Sequence, residues 1–183
     1  RAAKRTLAKF VTDFIRTNPT IYDTKTLFHA DHKNLGTAAL SATSYAAARL
    51  AMVSQAEYGS TDSIGVGPSN IWLPFTLEET AFNLFQRATN LDKTFVQSLV
   101  PNIIAVPFWT DPTDWAVTAN VADIPFIEIG FLDGNEEPEL FVQDSPTVGS
   151  LFTADKITYK LRHIYGGAVI DYRGAYKAVV SDT

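Results

Sequence analysis

The stretch ITYKLRHIYGGAVIDYRGAYKAVV, Ile157 to Val180, decides how the chain is read. Ile157, Tyr159, Leu161, His163 and Tyr165 alternate with Thr158, Lys160 and Arg162. That is the period-two pattern of a strand with unlike faces. Gly166-Gly167 is expected to mark a turn or bulge, after which AVIDYRGAY returns as a second strand. Asp171 and Arg173 fall on one face of that strand and read as a surface or inter-subunit ion pair. With Tyr172 and Tyr176 they are the candidate self-association residues.

Upstream the same signals recur. FIEIGFL and ELFVQD flank the acidic DGNEEP and read as a hairpin with Asp133-Gly134 at its turn. NIWLPF (70–75) reads as a short apolar strand leading into the next helix, NIIAVPFW (102–109) has the apolar, β-branched content of a buried strand, and WAVTANVAD (115–123) reads as another strand or strand-like segment. Helical signals lie earlier. Ala3, Leu7, Phe10, Val11, Phe14 and Ile15 follow one helix face, ended by Asn18-Pro19. Ser41 is a plausible N-cap for an alanine-rich helix reaching about Tyr58 and closed by Gly59. Thr76 to Glu79 has capping-box spacing, which predicts a helix from Leu77 to about Ala88. Helices early, strands late and two apolar strands interleaved describe an α+β fold rather than a doubly wound sheet.

At 183 residues, 46% hydrophobic, with mean hydropathy near zero, the chain is a well-cored globular one. It has no cysteine, which removes disulfides, thiolate metal sites and cysteine nucleophiles together. No apolar run approaches the ~18 residues of a membrane span. The net charge of −5 is unevenly spread. Residues 1–36 carry seven Lys/Arg against three Asp/Glu, while the ten acids from Asp111 to Asp155 meet no base. Beyond them, as far as Lys177, Lys156, Lys160, Arg162, Arg173 and Lys177 face only Asp171. Basic ends and an acidic middle could attract copies of the chain to one another. The acidic excess does not suit a nucleic-acid footprint. The chain opens at Arg1 already reading as helix, so it is expected to be a fragment or processed product of something longer.

The sharpest candidate for chemistry is LFHADHKNLG, Leu27 to Gly36, which holds two of the three histidines. His29, Asp31 and His32 could ligate zinc or another transition ion, making the protein a metal-dependent hydrolase. A catalytic zinc needs three protein ligands and an open position. Adjacent Asp31 and His32 turn poorly to one centre with His29, and no HExxH motif accompanies them. The alternative is a loop whose histidines cap backbone groups. DGNEEPE lacks the ligand spacing of a calcium loop and reads as a solvated turn. Trp109, Trp115, Tyr159, Tyr165, Tyr172 and Tyr176 could stack a ligand, but beside aliphatics on strands they read first as core or interface. No nucleophile elbow, phosphate loop or dinucleotide fingerprint is present, and no cofactor is expected.

Three stretches in order resemble one family. NPTIYDTKTLFHADHKNLG with the following ALSATSYAAARLAM helix, PFIEIGFLDGNEEPELF, and YKLRHIYGGAVIDYRGAYK are similar to the major head subunits of Mu-like phages. The last carries a Gly-Ala-x-x-Asp-x-Arg-Gly pattern at Gly167 to Gly174. The resemblance implies a tailed-phage major capsid protein of the Hong Kong 97 fold, not an enzyme. It implies residues 1–21 as the end of a spine helix in a peripheral domain, 22–155 as an axial domain, and 156–183 as peripheral-domain strands. An arm and an extended loop would lie upstream. It further implies self-assembly into hexamers and pentamers of an icosahedral head, built in the bacterial cytoplasm and ending in the virion. Partners would be other copies, a scaffold or prohead protease, other head proteins and DNA held non-specifically, with no membrane.

Overall fold

The computed structural model describes residues 2–87 and 95–181. Its elements run α1 (Ala2–Thr17), β1 (Leu35–Gly36), α2 (Ala42–Val53), β2 (Asn70–Leu73), α3 (Glu78–Phe85), β3 (Asn102–Ala105) and β4 (Trp115–Thr118). Then come β5 (Ile127–Phe131), β6 (Glu139–Gln143), α4 (Ser150–Ala154), β7 (Thr158–Arg162), β8 (Tyr165–Val169) and β9 (Ala175–Ala178). The fold is mixed α+β. Two compact units divide the chain, residues 1–8 with 129–167 and residues 9–128 with 168–183.

The larger unit is built on a five-stranded mixed sheet of order β1-β9-β4-β2-β3. β2 runs parallel to β3 and antiparallel to β4; β4 is antiparallel to β9, and β9 parallel to β1. Central β4 is buried at all four positions, which its sequence WAVT suits by having no charge. Its alternation separates two cores. Trp115 and Val117 pack with Tyr45, Ala48 and Met52 of α2 and with Ala81 and Phe85 of α3. Ala116, on the other face, joins Ile15, Leu27, Phe28, Val106 and Ala175. Burying each large apolar side chain contributes about 1.5–3 kcal/mol. β3, expected to be a buried strand, is the sheet's edge and half exposed.

Helix ends depart from expectation for identifiable reasons. Ser41 caps α2 as its sequence suggests, in a capping box closed by Ser44. The helix stops at Val53 rather than near Tyr58, because the chain folds back there: Ile64 N–H bonds Gln55 O and Gly65 N–H bonds Val53 O. Thr76 makes no capping box. Its hydroxyl donates to Pro112 O, a short 3-10 turn fills Phe75–Leu77, and α3 starts at Glu78. The expected end at Ala88 lies outside the described residues.

In the smaller unit the expected hairpin is corrected. FIEIGFL does not pair with ELFVQD: β5 pairs with β8, and β6 pairs with β7, Glu139 opposite Arg162 through Gln143 opposite Thr158. The segment between β5 and β6 holds two left-handed residues, Asp133 (φ 55°) and Gly134 (φ 73°), without pairing the strands it joins. The returning strand supplies both partners. Consequently Gly166 and Gly167 lie inside β8, not at a turn. The reversal into β9 comes later, at a 3-10 turn over Tyr172–Gly174 that Asp171 caps. Asp171 and Arg173 are therefore not on a strand.

Candidate functional site

The loop between α1 and α2 is held by its own polar side chains together with backbone bonds such as Leu27 N–H to Pro19 O. Asn18, in the left-handed region (φ 50°), ends α1. Its amide clamps Phe28 from both sides, accepting from Phe28 N at 2.7 Å and donating to Phe28 O at 3.0 Å. Asn34 is buried and makes three bonds: it accepts from His29 N (3.0 Å) and donates to Leu27 O (2.9 Å) and Tyr172 O (3.3 Å). Backbone polar groups buried in a loop require such partners. The chain then leaves as β1, where Lys177 N–H bonds Asn34 O and Val179 N–H bonds Gly36 O.

His32 is 4% exposed and lies flat on Tyr172, ring centroids 3.9 Å apart at 11°. Its Nδ1 meets Leu27 O at 3.1 Å; a carbonyl can only accept, so Nδ1 donates. Its Nε2 meets Asp23 Oδ2 at 2.6 Å. Burial alone would raise the Asp23 carboxyl, but the His32 hydrogen bond and that of the Lys25 amide outweigh it and hold Asp23 below the usual carboxylate range. The His32 carbonyl takes a bond from Gln55 Nε2 at 2.7 Å, tying the loop to the end of α2.

His29 and Asp31 do other work. His29 Nδ1 accepts from Asp31 N at 3.2 Å, capping the 3-10 turn Ala30–His32. Asp31 is exposed and pairs with Lys25 at 2.7 Å, whose hydrogen bond lowers its carboxyl pKa. Both nitrogens of His32 are thus occupied, the nitrogen of His29 that faces Asp31 is occupied, and the two rings stand 5.9 Å apart. The three residues do not converge. Among the described residues no group of three or more His, Asp or Glu is placed to hold a metal ion.

The other sequence candidates join this loop from the C-terminal side. Asp171 and Arg173 form a forked pair, Nε to Oδ1 at 2.9 Å and Nη2 to Oδ2 at 2.6 Å, with Arg173 Nη1 also on Ala56 O. The Asp171 hydrogen bonds raise the Arg173 pKa further. Tyr176 lies over Gly36, where an added Cβ would come 2.0 Å from the Tyr176 hydroxyl oxygen, so a larger residue there would have to displace the Tyr176 ring. Trp115 and Trp109 are core residues, while Tyr159 is exposed. The aromatics form no shared platform.

One feature escaped sequence reasoning. Lys177 is buried in β9 and pairs with buried Asp114 at 3.1 Å. Its Nζ also reaches Arg16 O near the C-terminal end of α1, where a cation is favoured. Asp114 Oδ1 accepts from Val180 N–H at 2.9 Å. The only trace in the sequence is a lysine set among small apolar residues in AYKA.

The family described as phage capsid protein matches residues 1–178, and the chain belongs to it. It is a structural protein of the virion capsid. No curated protein and no solved structure matches the chain.

Proposed function

We propose that the chain is a major head subunit of the Hong Kong 97 type, similar to those of Mu-like phages, which assembles into hexamers and pentamers of an icosahedral shell around DNA. The observation that carries this reading is the capsid family match across residues 1–178. The α+β fold and the internally satisfied LFHADHKN loop support it.

In this reading the larger unit corresponds to the axial domain and the smaller to part of the peripheral domain. Residues 129–155 then go with the peripheral part and 9–21 and 168–183 with the axial part, a redrawing of the division expected from resemblance. Asp171, Tyr172, Arg173 and Tyr176 contribute to self-association indirectly, by fixing the loop and strand they bond. Many weak contacts repeated by symmetry make such a shell cooperative. Prohead protease, scaffold and host-cytoplasm assembly belong to the same proposal. Electron microscopy of the purified protein at rising concentration tests it. Five- or sixfold assemblies are expected, and a protein that stays monomeric throughout contradicts the reading.

A further inference from the structure

The ribbon of β6 and β7 has one face that is apolar and uncovered. Directly opposed residues of an antiparallel pair share a face. Leu140 therefore stands beside Leu161, and Val142 beside Tyr159, on one side. Glu139, Phe141, Lys160 and Arg162 stand on the other. That second face is internally satisfied: Arg162 pairs with Glu139, and the Lys160 and Arg162 cations sit 5.0 and 5.3 Å from the Phe141 ring centre. The tip helix α4 is tied to the same polar side through Ser150, which bonds Thr158 and Gln143. The first face has no such cover. Leu140, Val142, Tyr159 and Leu161 are 62, 46, 65 and 54% exposed.

A two-stranded ribbon in water is marginal by itself. An apolar face on one marks a contact surface. We infer that this face packs against the same face of a second copy, as a two-fold contact between capsid subunits; the inference rests on the capsid reading above. Charge selects the occupant. The face carries no ionised group, so a two-fold operation brings no like charges together. The same operation on the opposite face would set Lys160 and Arg162 against their copies. Without cations the apolar face has nothing to hold a phosphate backbone. Four half-exposed side chains supply only part of the roughly 800 Å² per partner that a stable pair buries. The contact is accordingly weak in isolation and suited to a shell, where each subunit is held by several neighbours at once.

Charge reversal tests it. Leu161→Glu and Leu161→Lys each leave the circular dichroism spectrum unchanged, because the side chain is exposed. Each weakens self-association by about tenfold or more, read by sedimentation velocity. An equimolar mixture of the two recovers association, since Glu then faces Lys across the two-fold. The chain has no cysteine, so Tyr159→Cys introduces a single thiol. A short bis-maleimide joins it into dimers, whereas Lys160→Cys on the opposite face stays unlinked. Wild-type association combined with undiminished association of Leu161→Glu overturns this contact and leaves the capsid reading standing. Loss in both variants without recovery on mixing overturns the two-fold and points to a different surface of the neighbour. A wild-type protein that stays monomeric at every concentration overturns the capsid reading, and the contact with it.

Discussion

The loop of residues 18–36 and the β6–β7 ribbon use their side chains in opposite ways. In the loop, Asn18, His32 and Asn34 turn inward and bond the chain's own backbone, with Asp23 taking the second nitrogen of His32. In the ribbon, Leu140, Val142, Tyr159 and Leu161 turn outward and touch little of the chain. The loop is rich in residues that suggest chemistry, and they bond one another and the backbone around them. The ribbon looks featureless in sequence and leaves an apolar face exposed. Residue type alone is a poor guide to function here; what each polar or apolar group has left to bind is the better one.

That contrast can be broken by mutation, and the largest effect lies in the buried pair behind the loop. Lys177→Met leaves Asp114 buried without its cation and is expected to cost about 3–5 kcal/mol, read as a shift in urea midpoint. Asp114→Asn with Lys177→Met recovers part of the loss, because no charge is then stranded. Next comes Asn34→Ala, which removes the partner of His29 N and one donor each from Leu27 O, still bonded by His32, and Tyr172 O. A loss of about 2–3 kcal/mol is expected. Asp31→Ala, three residues away in the same motif, leaves the melting temperature unchanged, because its ion pair with Lys25 is exposed. If Asp31 and Asn34 proved equally important, the loop would not be the internally bonded scaffold described.

The loop and its surroundings are legible in the sequence to different depths. The end of α1 at Asn18-Pro19, the Ser41 cap and the strands at Asn70, Asn102 and Trp115 follow from local chemistry, which acts over a few residues. The partner of each C-terminal strand does not. FIEIGFL and ELFVQD suit a hairpin locally, yet the returning segment 158–169 competes for both and wins. The capping box at Thr76 fails for a similar reason, since Pro112 O, 36 positions on, takes the hydroxyl. The His32 stack on Tyr172 and the burial of Lys177 likewise depend on contacts far apart in the chain. What the motif LFHADHKN does show is its own improbability as a ligand set, from the adjacency of Asp31 and His32.

A smaller effect separates core from ribbon by pH. Tyr45 is fully buried against Phe85, ring centroids 4.6 Å apart, and among the described residues its hydroxyl has no hydrogen-bond partner. Burial pushes its pKa up to about 12. The unfolded chain loses this proton near the ordinary value of 10.0, while the folded chain keeps it. The associated stability is therefore fully present below pH 10 and lost as pH rises toward 12. Tyr45→Phe removes that share of the alkaline loss and is neutral or stabilising by up to about 1 kcal/mol at pH 7. Smallest of all, Tyr159→Ser in the ribbon should leave monomer stability within about 0.5 kcal/mol, as for most surface changes. Its consequence belongs to assembly.

Hydrogen exchange, followed by mass spectrometry in unassembled and assembled protein, measures both regions at once. Amides of residues 27–36 are expected to exchange slowly in both states, because their partners lie within the chain. Amides of 139–143 and 158–162 are expected to exchange quickly in the unassembled protein and to gain protection on assembly. Ribbon amides that exchange equally fast in both states, or loop amides that become protected only on assembly, would contradict the division of the molecule into an internal scaffold and an outward contact surface.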